Sequence, residues 1–301
     1  MNLHSRGLRY FDMIRRRGSI REAARHLHVS SSAVNRQLLQ LEEDIGSPLF
    51  ERMPSGMRLT PAGEILARHV TTVLQDGQRM VSELDALRGL RRGSVDVVAV
   101  ESLTASFLPE LLQTMHSRYP AVTLRVQVCG SAQAARLVAL GDADVALGFV
   151  LQRNEALRQL ALSRFALGAV VKKSHPLARL TNVSLADCAR HPLVLPSEEL
   201  SIHWELKTAM ANLKRPLNVV LETGSFELMK EFAARGAAVA FTNRFGIERE
   251  LRAGLLRHLP LKPAIYSGLG VYVRAGRSPT PALDAFTRLA AEAIETRQTE
   301  E

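Results

Sequence analysis

The sequence predicts an α/β protein in three parts: an N-terminal winged helix-turn-helix, a long linker helix, and a two-lobed α/β domain. Three observations carry that expectation. Between Ser19 and Gly63, two short amphipathic stretches with separate cap residues precede a hairpin signal. From Leu66 to Leu87, apolar residues recur with the spacing of a heptad seam. After Gly93, short β-rich runs alternate with helical stretches. The expected parts are residues 1–60, 61–92 and 93–301. The last divides into lobe I (93–165 and 268–301) and lobe II (166–267).

Leu8, Phe11, Met13 and Ile14 predict a first helix over about residues 3–17, packed on the next two. Its end, Arg15-Arg16-Arg17, either touches a nucleic-acid backbone or is a solvated terminus favoured by the helix dipole. Ser19 followed by Glu22 reads as a capping box, and Ile20, Ala23, Ala24 and Leu27 make one apolar stripe. Ser30 offers a fresh N-cap. The helix it starts has Val34, Leu38, Leu41 and Ile45 on one side and Gly46 as a left-handed stop. Its other side shows Ser31, Ser32, Asn35, Arg36 and Gln40. Two short helices joined by a tight turn fit a helix-turn-helix, whose second helix enters the major groove. Asn35 suits adenine and Arg36 guanine or phosphate; both also suit an ordinary solvated helix face. Leu49-Phe50, then Met53-Pro54-Ser55-Gly56-Met57, then Leu59 read as a hairpin. This wing sets Arg52 and Arg58 where they can grip phosphates.

In order and without gaps, Ala23-Ala24, Leu27, Val29-Ser30, Ala33-Val34, Arg36, Leu41-Glu42, Gly46, Pro48-Leu49-Phe50, Arg52 and Leu59-Thr60-Pro61-Ala62-Gly63 resemble the LysR-type transcriptional regulators. The resemblance implies a sequence-specific regulator on an inverted-repeat promoter site in double-stranded DNA. It implies a linker helix that dimerises, with tetramers built from dimers. It also implies an effector domain like a periplasmic binding protein, whose chain crosses between lobes near 163–166 and 267–270. Ser31 and Asn35 depart from the family, which often has Gln and Ser there. Both lie on the expected reading face, so an operator sequence does not carry over.

Thr60-Pro61 starts the linker helix, with Thr at the cap and Pro in the first turn. Leu66, Val70, Val73, Gly77, Met80, Leu84 and Leu87 then alternate at four and three residues, with Leu74 and Val81 as an apolar flank. This reads as an intermolecular seam; the alternative is a helix packed on its own domain. Leu90-Arg91-Arg92-Gly93-Ser94 reads as a basic hinge.

Beyond the hinge, strands are expected at 95–100, 122–128 and 144–148, with helices at about 102–119 and 131–140. This order implies a parallel sheet with right-handed crossovers. A second series places strands at about 167–171, 193–195, 219–222, 239–241 and 270–273. Helices are expected at 226–235, about 245–253 and 281–296, and another should hold His203 and Trp204. Ligands of such sheets sit beyond the C-terminal strand ends. Ser102, Thr104 and Ser131 stand there, near helix starts whose free N–H groups favour an anion; equally, they serve as caps. Phe149, Pro196 and Thr223 also stand at strand ends. The family resemblance adds Phe241 and Thr242 to the expected lining. Trp204 reads as core before ligand platform. A small, anionic effector is the expectation.

The formal net charge is +9. Residues 1–92 hold 15 Arg against 10 Asp and Glu and no Lys, and arginine's planar fork suits phosphate and guanine. No apolar run approaches the roughly 18 residues of a spanning helix, and the N-terminus lacks the apolar core of a secretory signal. Cys129 and Cys188 form no metal-ligand spacing. These features point to a cytoplasmic protein with reduced thiols and no membrane partner. The chain lacks a Walker loop, H-E-x-x-H and G-x-S-x-G, and Gly268-Leu269-Gly270 is too short for a dinucleotide fingerprint. Asp142 and Asp144 read as turn formers. No catalytic residue, metal site or cofactor is expected. The competing readings are an enzyme with a DNA-binding appendage and a cytoplasmic sensor that does not touch DNA.

Overall fold

A computed structural model describes residues 6–87, 93–149, 155–211, 213, 215–236, 238–276 and 278–299. These fall into two compact units. The first lies within residues 1–90, with 140–142 and 277–280; the second takes the remainder.

The first unit contains α1 (Arg6–Arg17), α2 (Ile20–Leu27), α3 (Ser31–Ile45), β1 (Phe50–Met53), β2 (Gly56–Leu59) and α4 (Pro61–Leu87). Its core gathers Phe11 and Ile14 from α1, Ala23 and Ala24 from α2, Val34 and Leu38 from α3, then Leu49, Phe50, Ala67 and Val70. The Phe11 and Phe50 rings meet at 5.1 Å between centroids. The small alanines let α2 lie close to its neighbours. Ser19 caps α2 by accepting the Glu22 N–H, but Glu22 itself turns to Arg25 at 3.0 Å rather than closing the expected box. His28 takes a left-handed backbone, φ 55°, to end α2, and Ser30 caps α3.

The wing is a two-residue hairpin, with Met53 opposite Gly56 across Pro54-Ser55. Gly56 has φ 128°, and a Cβ there would lie 2.5 Å from the Gly18 carbonyl oxygen; only glycine fits that approach. That carbonyl accepts the Met57 N–H at 2.7 Å. The hairpin base is held by Glu42, whose carboxylate accepts the Leu49 N–H at 2.7 Å and the Phe50 N–H at 3.3 Å.

The linker helix divides the expected seam. Val70 is buried in the core of its own unit, with Leu66 and Leu74 packed against it. Met80, Val81 and Leu84 are exposed apolar side chains. The start of the repeat is therefore intramolecular, and only its later part is open to a partner. Residues 88–92, with most of the expected basic hinge, lie outside the described residues, as does the expected start of the first helix at residue 3.

The second unit holds two lobes. Lobe I contains β3 (Gly93–Ala99), α5 (Phe107–Arg118), β4 (Val122–Val128), α6 (Ser131–Leu140), β5 (Val145–Phe149) and β6 (Leu157–Ala166). Lobe II follows with β7 (Gly168–Lys172), α7 (Leu185–Cys188), β8 (Leu193–Pro196), α8 (Ile202–Met210), β9 (Val219–Thr223), α9 (Phe226–Ala234), β10 (Ala240–Thr242), α10 (Glu248–Arg252) and β11 (Leu256–Pro260). The chain returns to lobe I with β12 (Tyr266–Arg274) and α11 (Pro281–Thr299).

The lobe I sheet runs β4-β3-β5-β12-β6. The expectation of a parallel sheet holds for β3, β4 and β5 alone; β12 runs antiparallel to both β5 and β6. Strand β6 has no counterpart in the expected order, because its LRQLALSRFA pattern carries too few β-branched residues to announce itself. Strand β11 is a second addition. In lobe II, β7 lies between β10 and β11, antiparallel to both, while β8 and β9 pair in parallel. The expected helix over 102–119 is broken into a 3-10 turn, Glu101–Leu103, and α5, which puts Pro109 in its first turn. A proline there loses no helical hydrogen bond.

Candidate DNA-reading face and ligand cavity

On α3, Ser31, Ser32, Arg36 and Gln40 are exposed and Asn35 is half-buried. The buried Val34 and Leu38 fix which side faces outward. Ser32 bonds Ser30 between hydroxyls at 3.0 Å, and Gln40 donates to Asp44 at 3.0 Å. The Arg36 guanidinium has no ion pair among the described residues. Arg52 donates to Asn35 Oδ1 at 2.8 Å, tying the wing to the reading helix and fixing the Asn35 amide. Arg58 stands opposite Glu51 in the hairpin, whereas Arg52 stands opposite Met57. The two wing arginines therefore leave opposite faces of the ribbon. Of the triplet ending α1, Arg15 and Arg16 are tied to Asp12 at 2.9 and 2.8 Å. Among the described residues Arg17 alone of the three is both exposed and without an ion pair, so the triplet is chiefly a structural helix end.

Between the lobes of the second unit lies a cavity of about 280 Å³. Of the expected ligand residues, Ser102, Ser131, Phe149 and Thr242 line it. The other four do not. The Thr104 hydroxyl turns back to the Glu101 carbonyl at 2.7 Å. The Pro196 carbonyl partners His203 Nδ1 at 2.8 Å. Thr223 Oγ1 accepts the Ser225 N–H at 3.1 Å. Phe241 is fully buried in the lobe II core. Trp204 is neither core nor lining: it is 48% exposed, with the Lys207 ammonium 5.0 Å from its ring centroid.

The cavity adds residues that the strand-end search passed over: Glu101, Cys129, Glu199, Phe226 and Asn243. Glu101 was legible as the residue between β3 and Ser102, but its acidity did not match the anion expected there. Its Oε2 accepts the Phe226 N–H at 2.7 Å and its Oε1 meets the Ser225 hydroxyl at 3.4 Å. A lobe I carboxylate thus caps a lobe II helix, α9, and occupies the N-terminus that an anion would favour. Glu199 reaches the cavity from the loop after β8, a placement only tertiary structure reveals. Burial raises the pKa of Cys129, which keeps this lining residue a thiol. Among the described residues the lining includes no Lys, Arg or His, so none of them offers the expected anion a cationic side chain.

The LysR substrate binding domain family matches residues 88–295, and the bacterial regulatory helix-turn-helix protein, lysR family, matches residues 5–64. The chain belongs to the LysR family. It is a LysR-type transcriptional regulator with a helix-turn-helix and an effector-binding domain. This LysR protein is similar to the RuBisCO operon transcriptional regulator of Allochromatium vinosum, 28% identical over 95% of each chain. A probable RuBisCO transcriptional regulator of Synechocystis sp. is 29% identical, over 93% of this chain and 84% of the relative. In fold it is similar to a full-length OxyR variant from Pseudomonas aeruginosa, with a TM-score of 0.76, 19% identity and coverage of 96% and 93%. Full-length CbnR bound to its target DNA gives 0.55 at 20% identity, covering 96% and 99%. Among the described residues, no helix is long and apolar enough to cross a membrane.

Proposed function

We propose that this LysR-type regulator acts in the cytoplasm without catalysis of its own. It reads promoter DNA through α3 and the wing and takes a small molecule into the cavity between its lobes. The observation that carries the DNA part is the outward face of α3. Arg36 is free to contact a base, and Asn35 is oriented beside it by Arg52. Arg58 supplies charge from the other face of the wing. The apolar stretch Met80, Val81 and Leu84 supports pairing through α4, so that dimers or tetramers set two reading helices on an inverted repeat. The ligand acts only through its different affinity for two arrangements of the lobes.

Electrophoretic shift with the DNA upstream of its own gene tests the first half. Retarded fragments at low ionic strength are expected; a protein that leaves every fragment unshifted refutes it. For the second half, Cys129→Phe fills the cavity. A metabolite extract should change the DNA footprint of the wild-type protein and leave that of the variant fixed. Equal changes in both would place the effector elsewhere.

A further inference from the structure

The chemistry of the cavity names the class of ligand, an inference that rests on the cavity being the effector site. Two of its walls are acidic side chains, Glu101 and Glu199, brought to one turn from opposite lobes. Glu101 bonds the Phe226 N–H and the Ser225 hydroxyl. Glu199 lies against the residue before them: a Cβ on Gly224 would sit 1.9 Å from its Oε2. Glycine there makes room for the carboxylate. Glu199 forms no hydrogen bond or ion pair among the described residues.

Three further polar side chains line the same cavity and, among the described residues, keep free hydrogen-bonding groups. Ser102 and Thr242 are 9% and 6% exposed, and neither hydroxyl is engaged among the described residues. Asn243, 2% exposed, uses Oδ1 to accept the Phe245 N–H, which leaves its Nδ2 free. These polar atoms open into the cavity on otherwise buried side chains, so a ligand seated there can take up their hydrogen-bonding capacity. An anion would meet two negative charges, with the α9 N-terminus already occupied. A cation would meet two acceptors, one of them uncommitted.

We propose that the effector of this protein is a small amine-bearing molecule. Its ammonium faces Glu101 and Glu199 at the 224–226 turn, and its compact apolar body lies against Val128, Phe149 and Phe226. A hydrogen-bonding group on it reaches Ser102, Thr242 and Asn243.

The test is calorimetric titration of the full chain at fixed ionic strength with three probes of one length: butylamine, 1-butanol and butyrate. Butylamine should bind most tightly and butyrate least. Glu199→Gln should weaken butylamine roughly two- to fivefold, as expected for loss of one solvated charge pair, and leave butanol unmoved. Glu101→Gln should also weaken butylamine; its amide oxygen still accepts the Phe226 N–H, so that variant tests charge rather than the cap. Cys129→Phe should block the amine altogether. Tighter binding of butyrate or butanol, abolished by Cys129→Phe, overturns the amine class and leaves the cavity reading standing. Butylamine binding unaffected by both Glu199→Gln and Cys129→Phe overturns both. No butylamine binding at millimolar concentration overturns the amine proposal, while the footprint of the Cys129→Phe protein judges the cavity independently.

Discussion

Asn35 and Arg36 are neighbours on α3 with different parts to play, because one is bound and the other free. Arg36→Ala should cost about 1–3 kcal/mol on a specific site and little on random DNA, as the loss of one base contact does; competition binding at fixed salt checks it. Arg52→Ala removes the donor that fixes the Asn35 amide, so it should broaden base preference at the Asn35 position, measured by binding to a randomised site. A purely phosphate-binding arginine would instead weaken all sequences alike. His258 is a residue-scale case of a different kind. Its ring packs on Gly168 and its Nε2 partners the Thr242 carbonyl at 3.0 Å. Burial pushes its pKa down from 6.5 to about 4. The unfolded chain therefore takes up the proton first. Stability is insensitive to this group above about pH 6.5 and falls as pH drops from there toward 4. The loss should reach about 2 kcal/mol by pH 5. Urea unfolding at pH 7 and pH 5 should show a smaller difference for His258→Gln than for wild type.

The elements show where sequence patterns stop being sufficient. Helix boundaries written by local chemistry were legible: Ser19, Ser30, Thr60-Pro61 and Gly46 mark their ends because caps act within one turn. The hairpin was legible through Pro54-Ser55-Gly56. Strand β6 was not, since this edge strand is specified by its antiparallel pairing with β12 rather than by its own residues. The heptad pattern along α4 gave the helix correctly but could not say which apolar residues its own unit would bury. That division makes a prediction. Leu84→Glu should shift the protein toward a monomer in light scattering while its thermal unfolding changes little, because Leu84 is 40% exposed. Val70→Glu should instead unfold the reading head, since Val70 is fully buried. The ligand residues divide the same way. Ser102, Ser131 and Phe149 follow from the rule that strand ends face the ligand and Thr242 from the family resemblance, whereas Glu199 and Asn243 sit on separate loops of lobe II that only the folded lobe brings to one cavity. Thr104 misled because a hydroxyl near a helix start is as readily spent on its own backbone.

At the scale of the ligand-binding unit, Glu101 joins the lobes and lines the cavity with one carboxylate. A ligand that draws on this carboxylate competes with the cap on α9, so occupancy and the fit between lobes share a group. Glu101→Ala should therefore lower the unfolding midpoint by loss of the hydrogen bond to the first N–H of α9, about 1 kcal/mol, and blunt any ligand-induced change in footprint.

Strand β12 has a consequence for the order in which the molecule is made. It lies between β5 and β6, yet it leaves the ribosome after every strand of lobe II. Until Tyr266–Arg274 emerges, the two halves of the lobe I sheet have no strand to join them, while lobe II already has its whole sequence. During synthesis the second lobe can fold first as a unit, and the cavity acquires its lobe I wall last. A nascent chain halted before residue 266 should accordingly protect lobe II from protease and leave β3 to β6 cleavable.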